Sequence, residues 1–182
     1  MLKRSEREAL NHGEAANDIS PAEIVQWGAV EEVVELLHEE RFHEAMVELR
    51  AKATLDPQNP YIFYFMGVAL YEVSELAPAR DAYRACLRLA PKYLGARIAL
   101  SHVERQLGDA RAAIIEGMAA LSQAPEDADA LHAVGLGYSA KGDKVAARRY
   151  LEAFLKARPE FEAATEVKTM LEAFDEFDWA NN

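Results

Sequence analysis

Few side chains in this sequence could bind a metal or act in catalysis, and their spacing does not suit either role. The five histidines are His12, His38, His43, His102 and His132. His38 and His43 are five positions apart with a turn predicted between them, so they do not share a helix face as a pair of metal ligands would. The chain contains no phosphate loop, no HExxH motif and no GxSxG motif. We therefore predict a protein with no metal site, no cofactor and no enzyme activity.

The single cysteine and the adjacent carboxylates have simpler explanations than catalysis. Cys86 has no second cysteine with which to form an internal disulfide. It falls where the helical periodicity requires a small buried residue, so we interpret it as structural rather than as a nucleophile. Glu31–Glu32 and Glu39–Glu40 are typical of a solvated helix surface rather than of an acid–base pair.

The composition predicts a helical protein with an acidic surface. Of its 182 residues 51% are apolar, and alanine, leucine and glutamate, which all favour helix, dominate. The net charge of -11 disfavours nucleic acid and anionic lipid as partners. More than half of this excess lies in residues 160–182, where seven acids accompany one base, and we interpret this segment as a solubilising tail.

The sequence has no segment that would direct it into a membrane. Its N-terminus lacks an apolar run of signal-peptide length. No stretch approaches the roughly 20 apolar residues of a membrane helix. We expect a cytoplasmic, soluble protein without membrane insertion.

An internal repeat organises the rest of the chain. Four prolines are each 34 residues apart, Pro57, Pro91, Pro125 and Pro159. Proline ends a helix because it lacks an N–H and clashes with the preceding turn. Four alanines keep the same register, Ala45, Ala79, Ala113 and Ala147. We predict four copies of one helix pair, with turns near Glu40, Ser74, Gly108 and Gly142.

The period of 34, with these prolines and with small residues at Gly67, Ser101 and Gly135, resembles the tetratricopeptide repeat. The resemblance implies an all-α, right-handed helical-repeat superhelix of about four helix pairs, with copies at 26–59, 60–93, 94–127 and 128–161. The third copy departs from the family pattern by placing Arg97, Glu104 and Gly117 where large apolar residues are usual. We expect its helices to be the least tightly packed.

The flanks of the repeats are predicted to cover the two ends of the array. Residues 1–20 form a polar N-terminal arm, partly helical or disordered, and the repeats occupy 21–161. Ser20-Pro21-Ala22-Glu23 is a capping box, from which one helix is predicted to run to His38. Residues 162–182 are predicted to form an acidic capping helix and tail. Its apolar face consists of Ala163, Val167, Met170, Leu171 and Phe174.

The resemblance also implies a partner-binding groove on the first helices of the pairs. Partner-facing residues recur at about the second, fifth, ninth and twelfth positions of each copy. In this chain they predict a groove lined by Trp27, Val30, Val34, Tyr61, Tyr64, Val68, Tyr71, Ile98, His102, Arg105, His132 and Leu136. The alternative for each residue is core packing. The lysines and asparagines with which some relatives hold a C-terminal carboxylate are missing, so we expect an apolar extended segment or an amphipathic helix of another protein.

A narrower resemblance concerns the C-terminal end. Arg158-Pro159-Glu160-Phe161, with Val167 and Met170–Ala173, is similar to the end of class II chaperones of bacterial type III secretion. That resemblance implies a cytoplasmic chaperone that holds an apolar segment of a translocator, and a homodimer formed through the N-terminal region. The family usually carries three repeats, whereas this chain has four predicted copies. The alternative is a general adaptor or assembly scaffold of a bacterial envelope or secretion complex.

Overall fold

Helices make up the regular structure in the computed structural model, which describes residues 20–157 and 159–180. Ten helices occupy these residues, and no strand is found among them. The helices are α1 Pro21–Gly28, α2 Glu31–His38, α3 Phe42–Leu55, α4 Pro60–Glu72, α5 Leu76–Leu89, α6 Leu94–Gln106, α7 Ala110–Gln123, α8 Ala128–Lys141, α9 Lys144–Lys156 and α10 Phe161–Ala180. The predicted all-α class is confirmed. The polar arm lies outside the described residues apart from Ser20.

Four helix pairs follow one another, α2 with α3, α4 with α5, α6 with α7 and α8 with α9. We refer to α2, α4, α6 and α8 as the first helices and to α3, α5, α7 and α9 as the second helices. α10 packs against α9 and buries Val167 and Leu171, two residues of the predicted capping face. The chain is thus a superhelix of helical repeats.

The same turn joins the two helices of every pair. Among the described residues, those with positive φ are Glu40, Ser74, Gly108 and Gly142, at 58°, 62°, 86° and 83°. In each turn the next residue donates its N–H to a carbonyl five positions back, as from Arg41 to Leu36 at 2.9 Å. This is the hydrogen bond of a Schellman motif. The four turns were expected at these residues, and the structure confirms them.

Two of these turns use residues that are poorly suited to positive φ, which gives a first prediction. A side chain with a Cβ costs about 1–2 kcal/mol in this left-handed region, whereas glycine avoids that clash. We expect Glu40→Gly and Ser74→Gly each to raise the free energy of unfolding by about 1 kcal/mol, because part of the gain is offset by the greater freedom of glycine in the unfolded chain. Thermal unfolding should show each melting temperature rising by about 2–4 °C.

Gly142→Ser is the matched reverse change for this test. It should lower the melting temperature by a similar amount. If the two glycine variants melt lower than the parent chain, backbone strain does not limit these turns.

The first helix of the array is interrupted, which corrects the prediction of one helix from Pro21 to His38. The capping box is present, with Glu23 N donating to Ser20 Oγ at 3.2 Å. The helix ends at Gly28 because the N–H of Val30 bonds to the carbonyl of Trp27, three positions back, at 2.9 Å. Glycine weakens a helix interior, and the break lets the Val30 side chain enter the core, where it is fully buried.

A buried asparagine ties the first copy to the second. Asn59 caps α4 by accepting a hydrogen bond from the N–H of Tyr61 at 3.0 Å. Its side-chain nitrogen donates to the carbonyl of Gln26 at 2.8 Å. Both ends of this fully buried amide are therefore satisfied.

Charged residues in the third copy are paired across helices. Arg97 Nη1 lies 2.9 Å from Glu116 Oε2, which joins α6 to α7. Glu104, whose side chain is only 4% exposed, accepts from Arg84 Nη2 at 2.7 Å, which joins α5 to α6. Two of the three departures from the family pattern thus become ion pairs between neighbouring helices.

The third departure, Gly117, permits a close approach. A Cβ at this glycine would lie 2.8 Å from Val134 Cγ2 and 3.3 Å from Ser101 Oγ. Ser101 Oγ in turn donates to the carbonyl of Ala113 at 2.8 Å. The expectation that the third copy is the least tightly packed stays a prediction, because this close approach shows the packing at one point and does not compare the four copies.

Candidate functional site

The predicted groove residues divide by burial. Val30, Val34 and Tyr61 are buried, with 0%, 6% and 6% of their surface exposed. They belong to the core, which corrects their assignment to a surface that a partner could contact. The other nine are half-buried, and we call them the candidate groove: Trp27, Tyr64, Val68, Tyr71, Ile98, His102, Arg105, His132 and Leu136.

The N-terminal half of the candidate groove is built from aromatic rings that contact one another. Trp27 meets the ring of Tyr61 edge-on at a centroid distance of 5.3 Å. Tyr61 lies 5.7 Å from Tyr93, and Tyr93 lies 4.9 Å from Tyr64. Tyr64 also contacts Phe65 at 5.1 Å and Tyr83 at 5.9 Å. These six residues form one aromatic cluster that joins α1, α4, α5 and the start of α6.

The aromatic cluster explains why the sequence alone assigned to the groove some residues that pack in the core. Edge-to-face and tilted ring pairs stabilise a fold beyond the area they bury. Tyr83 and Tyr93 are buried members that the positional stripe did not select, since they lie outside its four positions. Burial raises the pKa of both hydroxyls well above the ordinary value, so both stay neutral. Tyr64 is therefore as much a core residue as a groove residue.

The middle of the candidate groove links α4 to α6. The Tyr71 hydroxyl oxygen accepts a hydrogen bond from the Gln106 side-chain amide. Val68 and Ile98, half-buried on these two helices, add apolar surface. This part offers both apolar area and polar tips, the combination usual at interfaces.

The C-terminal half of the candidate groove is basic. His102 on α6 and His132 on α8 have ring centroids 6.0 Å apart. Arg105 lies one turn after His102 on α6. Burial lowers the pKa of both histidines, and the charge of Arg105 lowers it further. Half-buried Leu136 follows one turn after His132. The candidate groove thus changes along the array from aromatic rings to imidazoles beside the charge of Arg105.

The other chemically capable groups remain apart. Cys86 is buried, and burial raises its pKa to about 12, so it is a thiol that fits the structural role predicted for it. Across residues 20–157 and 159–180, no three His, Cys, Asp or Glu side chains come together as a metal site would need. In the same part of the chain, no helix combines the length and apolar character needed to cross a membrane.

The helix pairs, their period and their turns define a tetratricopeptide-repeat fold, as the sequence predicts. Solved structures with this architecture include MamA residues 41 to the end from Desulfovibrio magneticus RS-1, with 20% identity and a TM-score of 0.72 over 86% of this chain and 89% of that one. The thermophilic tetratricopeptide-repeat protein TTC0263 of Thermus thermophilus is 21% identical, with a TM-score of 0.68 over 83% and 85% of the two chains.

A larger assembly supplies a further match. A chain of the APC/C hetero-tetramer Cut9–Hcn1 is 21% identical with a TM-score of 0.71, over 80% of this chain and 30% of that one. No family model matches the sequence, and no curated protein matches it. At these identities the structural matches show the fold.

Proposed function

We propose that this chain is a non-catalytic protein-binding module that holds a segment of another protein along its first helices. The observation that carries the proposal is the row of half-buried residues on α4, α6 and α8, which includes Tyr71, Ile98 and Leu136. Side chains that are neither buried nor fully solvated leave apolar area for a partner to cover. Both the fold and the structural matches, one of them a chain of a hetero-tetramer, support a role in assembly.

The partner should combine apolar and polar groups. The aromatic end presents the exposed parts of Trp27 and Tyr64, and the other end presents His102 and Arg105. An extended apolar segment or an amphipathic helix suits such a surface. The net charge of -11 disfavours nucleic acid in this role.

Within this function, two biological settings remain proposals. The first is a cytoplasmic chaperone of the class II type III secretion kind, supported by the resemblance at Pro159–Phe161 and Met170–Ala173. The second, broader setting is an adaptor or assembly scaffold of an envelope or secretion complex, and it needs only the shared fold. A homodimer through the N-terminal region belongs to the first setting, and sedimentation of the purified chain at micromolar concentration would test it.

A displayed library of random peptides tests the proposed function. Each peptide is about 12 residues long and can therefore span several turns of the first helices. The chain should enrich peptides that bind it with micromolar affinity. Leu136→Ala should weaken that binding by about tenfold or more, since truncating an interface anchor typically costs over about 1.4 kcal/mol. Val145→Ala on α9, where Val145 is 85% exposed, is the matched control and should bind unchanged. A library that yields no specific peptide would contradict the proposal.

A further inference from the structure

The second helix of the last pair, α9, is basic although the chain as a whole is acidic. It carries four bases and one acid, whereas the net charge of the chain is -11. Four exposed residues recur along it at intervals of four, three and four positions and therefore lie on one side of the helix. We call these residues the α9 face: Val145, Arg149, Glu152 and Lys156. Val145, with 85% of its surface exposed, gives this face an apolar centre.

The neighbouring helix α10 shows how an acidic helix contacts α9. Arg148 Nη2 lies 2.6 Å from Asp175 Oδ1 of α10. One turn earlier on α9, Lys144 Nζ lies 5.9 Å from the centre of the Phe174 ring. A carboxylate and an aromatic ring at adjacent positions of an acidic helix thus contact two bases that are one turn apart on α9.

The two bases of the α9 face have no comparable partner. Across the described residues, neither Arg149 nor Lys156 forms an ion pair, and Arg149 lies over the ring of Tyr150 in its own helix, 5.6 Å from the ring centre. Together with Lys144 and Arg148, the α9 face borders a shallow hollow of about 350 Å³. One side of α9 is therefore covered by an acidic helix, and the adjacent side offers similar groups to solvent.

We propose that the α9 face docks an acidic amphipathic helix of a partner protein, with carboxylates on Arg149 and Lys156 and an apolar side chain on Val145. Charge-assisted bonds between a carboxylate and a guanidinium or ammonium group are the stronger hydrogen bonds. α9 has 13 residues and is about 20 Å long, which matches one short helix lying alongside it. The site lies on a second helix, outside the candidate groove, and goes beyond the proposed function.

The charges around the α9 face favour a protein helix over a longer polyanion. A nucleic acid or an anionic membrane would extend past α9 and meet the exposed acids of α10, which include Glu172 and Asp175. It would also meet the field of a chain with a net charge of -11. A short helix contacts only the bases of α9 and avoids this repulsion.

Binding of three fluorescent helical peptides to the full chain tests the site by fluorescence anisotropy. The peptides share one scaffold of about 16 residues, or just over four turns, with leucines along one side. Glutamate, glutamine or lysine flanks the leucines. The glutamate peptide should bind saturably, the glutamine peptide severalfold more weakly, and the lysine peptide not at all. Absence of saturable binding by the glutamate peptide, or equal affinity for the glutamine peptide, would overturn the proposal.

Charge reversal locates the site. Arg149→Glu combined with Lys156→Glu should weaken the glutamate peptide at least about tenfold, since two attractive pairs become repulsive. Both side chains are exposed, so this variant should keep the helical circular dichroism of the parent chain. Arg50→Glu combined with Arg88→Glu is the matched control, because it reverses two exposed arginines of the second helices α3 and α5. If both double variants weaken the peptide equally, general charge attraction explains the binding and the site falls.

Two further measurements separate other occupants and the candidate groove. A DNA duplex, or vesicles that contain phosphatidylserine, should not bind through Arg149 and Lys156, and binding of either that is lost in the double variant would overturn the choice of a protein helix. Leu136→Ala in the candidate groove should leave the glutamate peptide unaffected. If Leu136→Ala weakens this peptide and the α9 double variant does not, the acidic helix lies in the groove and the α9 site falls, while the proposed function stands.

Discussion

Removal of residues 162–182 should lower the free energy of unfolding by about 5 kcal/mol, because each large apolar side chain that passes from core to water costs about 1.5–3 kcal/mol. Val167 and Leu171 are the buried residues by which α10 covers α9, and their loss would expose Phe154 and Leu151 of the last pair. Array ends need such a cover because each repeat buries its apolar face only against a neighbour. The melting temperature should fall by about 10–20 °C.

Single substitutions separate this capping effect from a general effect of shortening the chain. Val167→Ala removes two buried methyl groups and should lower the free energy of unfolding by about 1.6 kcal/mol or slightly more. Thr165→Ala is the matched control, since Thr165 is exposed and its hydroxyl donates to the carbonyl of Phe161 in its own helix. It should change stability by less than about 0.5 kcal/mol. A shortened chain that melts like the full one and stays monodisperse would contradict the assignment of α10 as a cap.

Tyr64→Ala should lower the free energy of unfolding by about 3 kcal/mol, as other large-to-small changes in packed clusters do. The sequence alone places Tyr64 in the groove with core packing as the alternative, and the ring contacts favour a share in the core. The Tyr64 ring contacts those of Phe65, Tyr83 and Tyr93 at 5.1, 5.9 and 4.9 Å. Its loss would therefore leave a cavity between α4, α5 and the start of α6. Chemical denaturation of the purified variant would measure the cost.

Tyr71→Ala is the contrasting variant. Tyr71 is half-buried on α4 and holds one side-chain hydrogen bond, to Gln106. Its loss should cost about 1 kcal/mol of stability while weakening a bound peptide by about tenfold or more. If Tyr71→Ala destabilises the chain as much as Tyr64→Ala does, the middle of the candidate groove is core as well.

The helix pairs could be predicted because their signals are local and periodic. Proline and glycine act within one turn of where they stand, so the 34-residue interval placed the turns at Glu40 and Ser74 although neither is a glycine. The capping box at Ser20 is equally local. The break before Val30 was missed because Gly28 is a weak signal in an otherwise helical pattern, and only the fold shows that Val30 is buried.

The groove was harder to predict because the position of a residue within a repeat does not show which other side chains pack against it in the fold. Tyr61 and Tyr64 occupy groove positions, yet Tyr93 from the end of the same copy covers them. Glu104 breaks the family pattern, and only the fold shows that Arg84 lies within reach of it. The proximity of His102 and His132, 30 positions apart, likewise follows from the packing of α6 against α8.

Site-specific photocrosslinking from two isoleucines tests the central claim most directly. A photoreactive residue replaces either Ile98, half-buried on the first helix α6, or Ile115, 58% exposed on the second helix α7. Each purified variant is irradiated with a peptide selected on the parent chain. If the first helices hold the partner, the variant with the photoreactive residue at position 98 crosslinks to the peptide, and an excess of competing peptide suppresses this product. The variant with the photoreactive residue at position 115 gives no crosslinked product. Crosslinking from position 115 with none from position 98 would contradict the account.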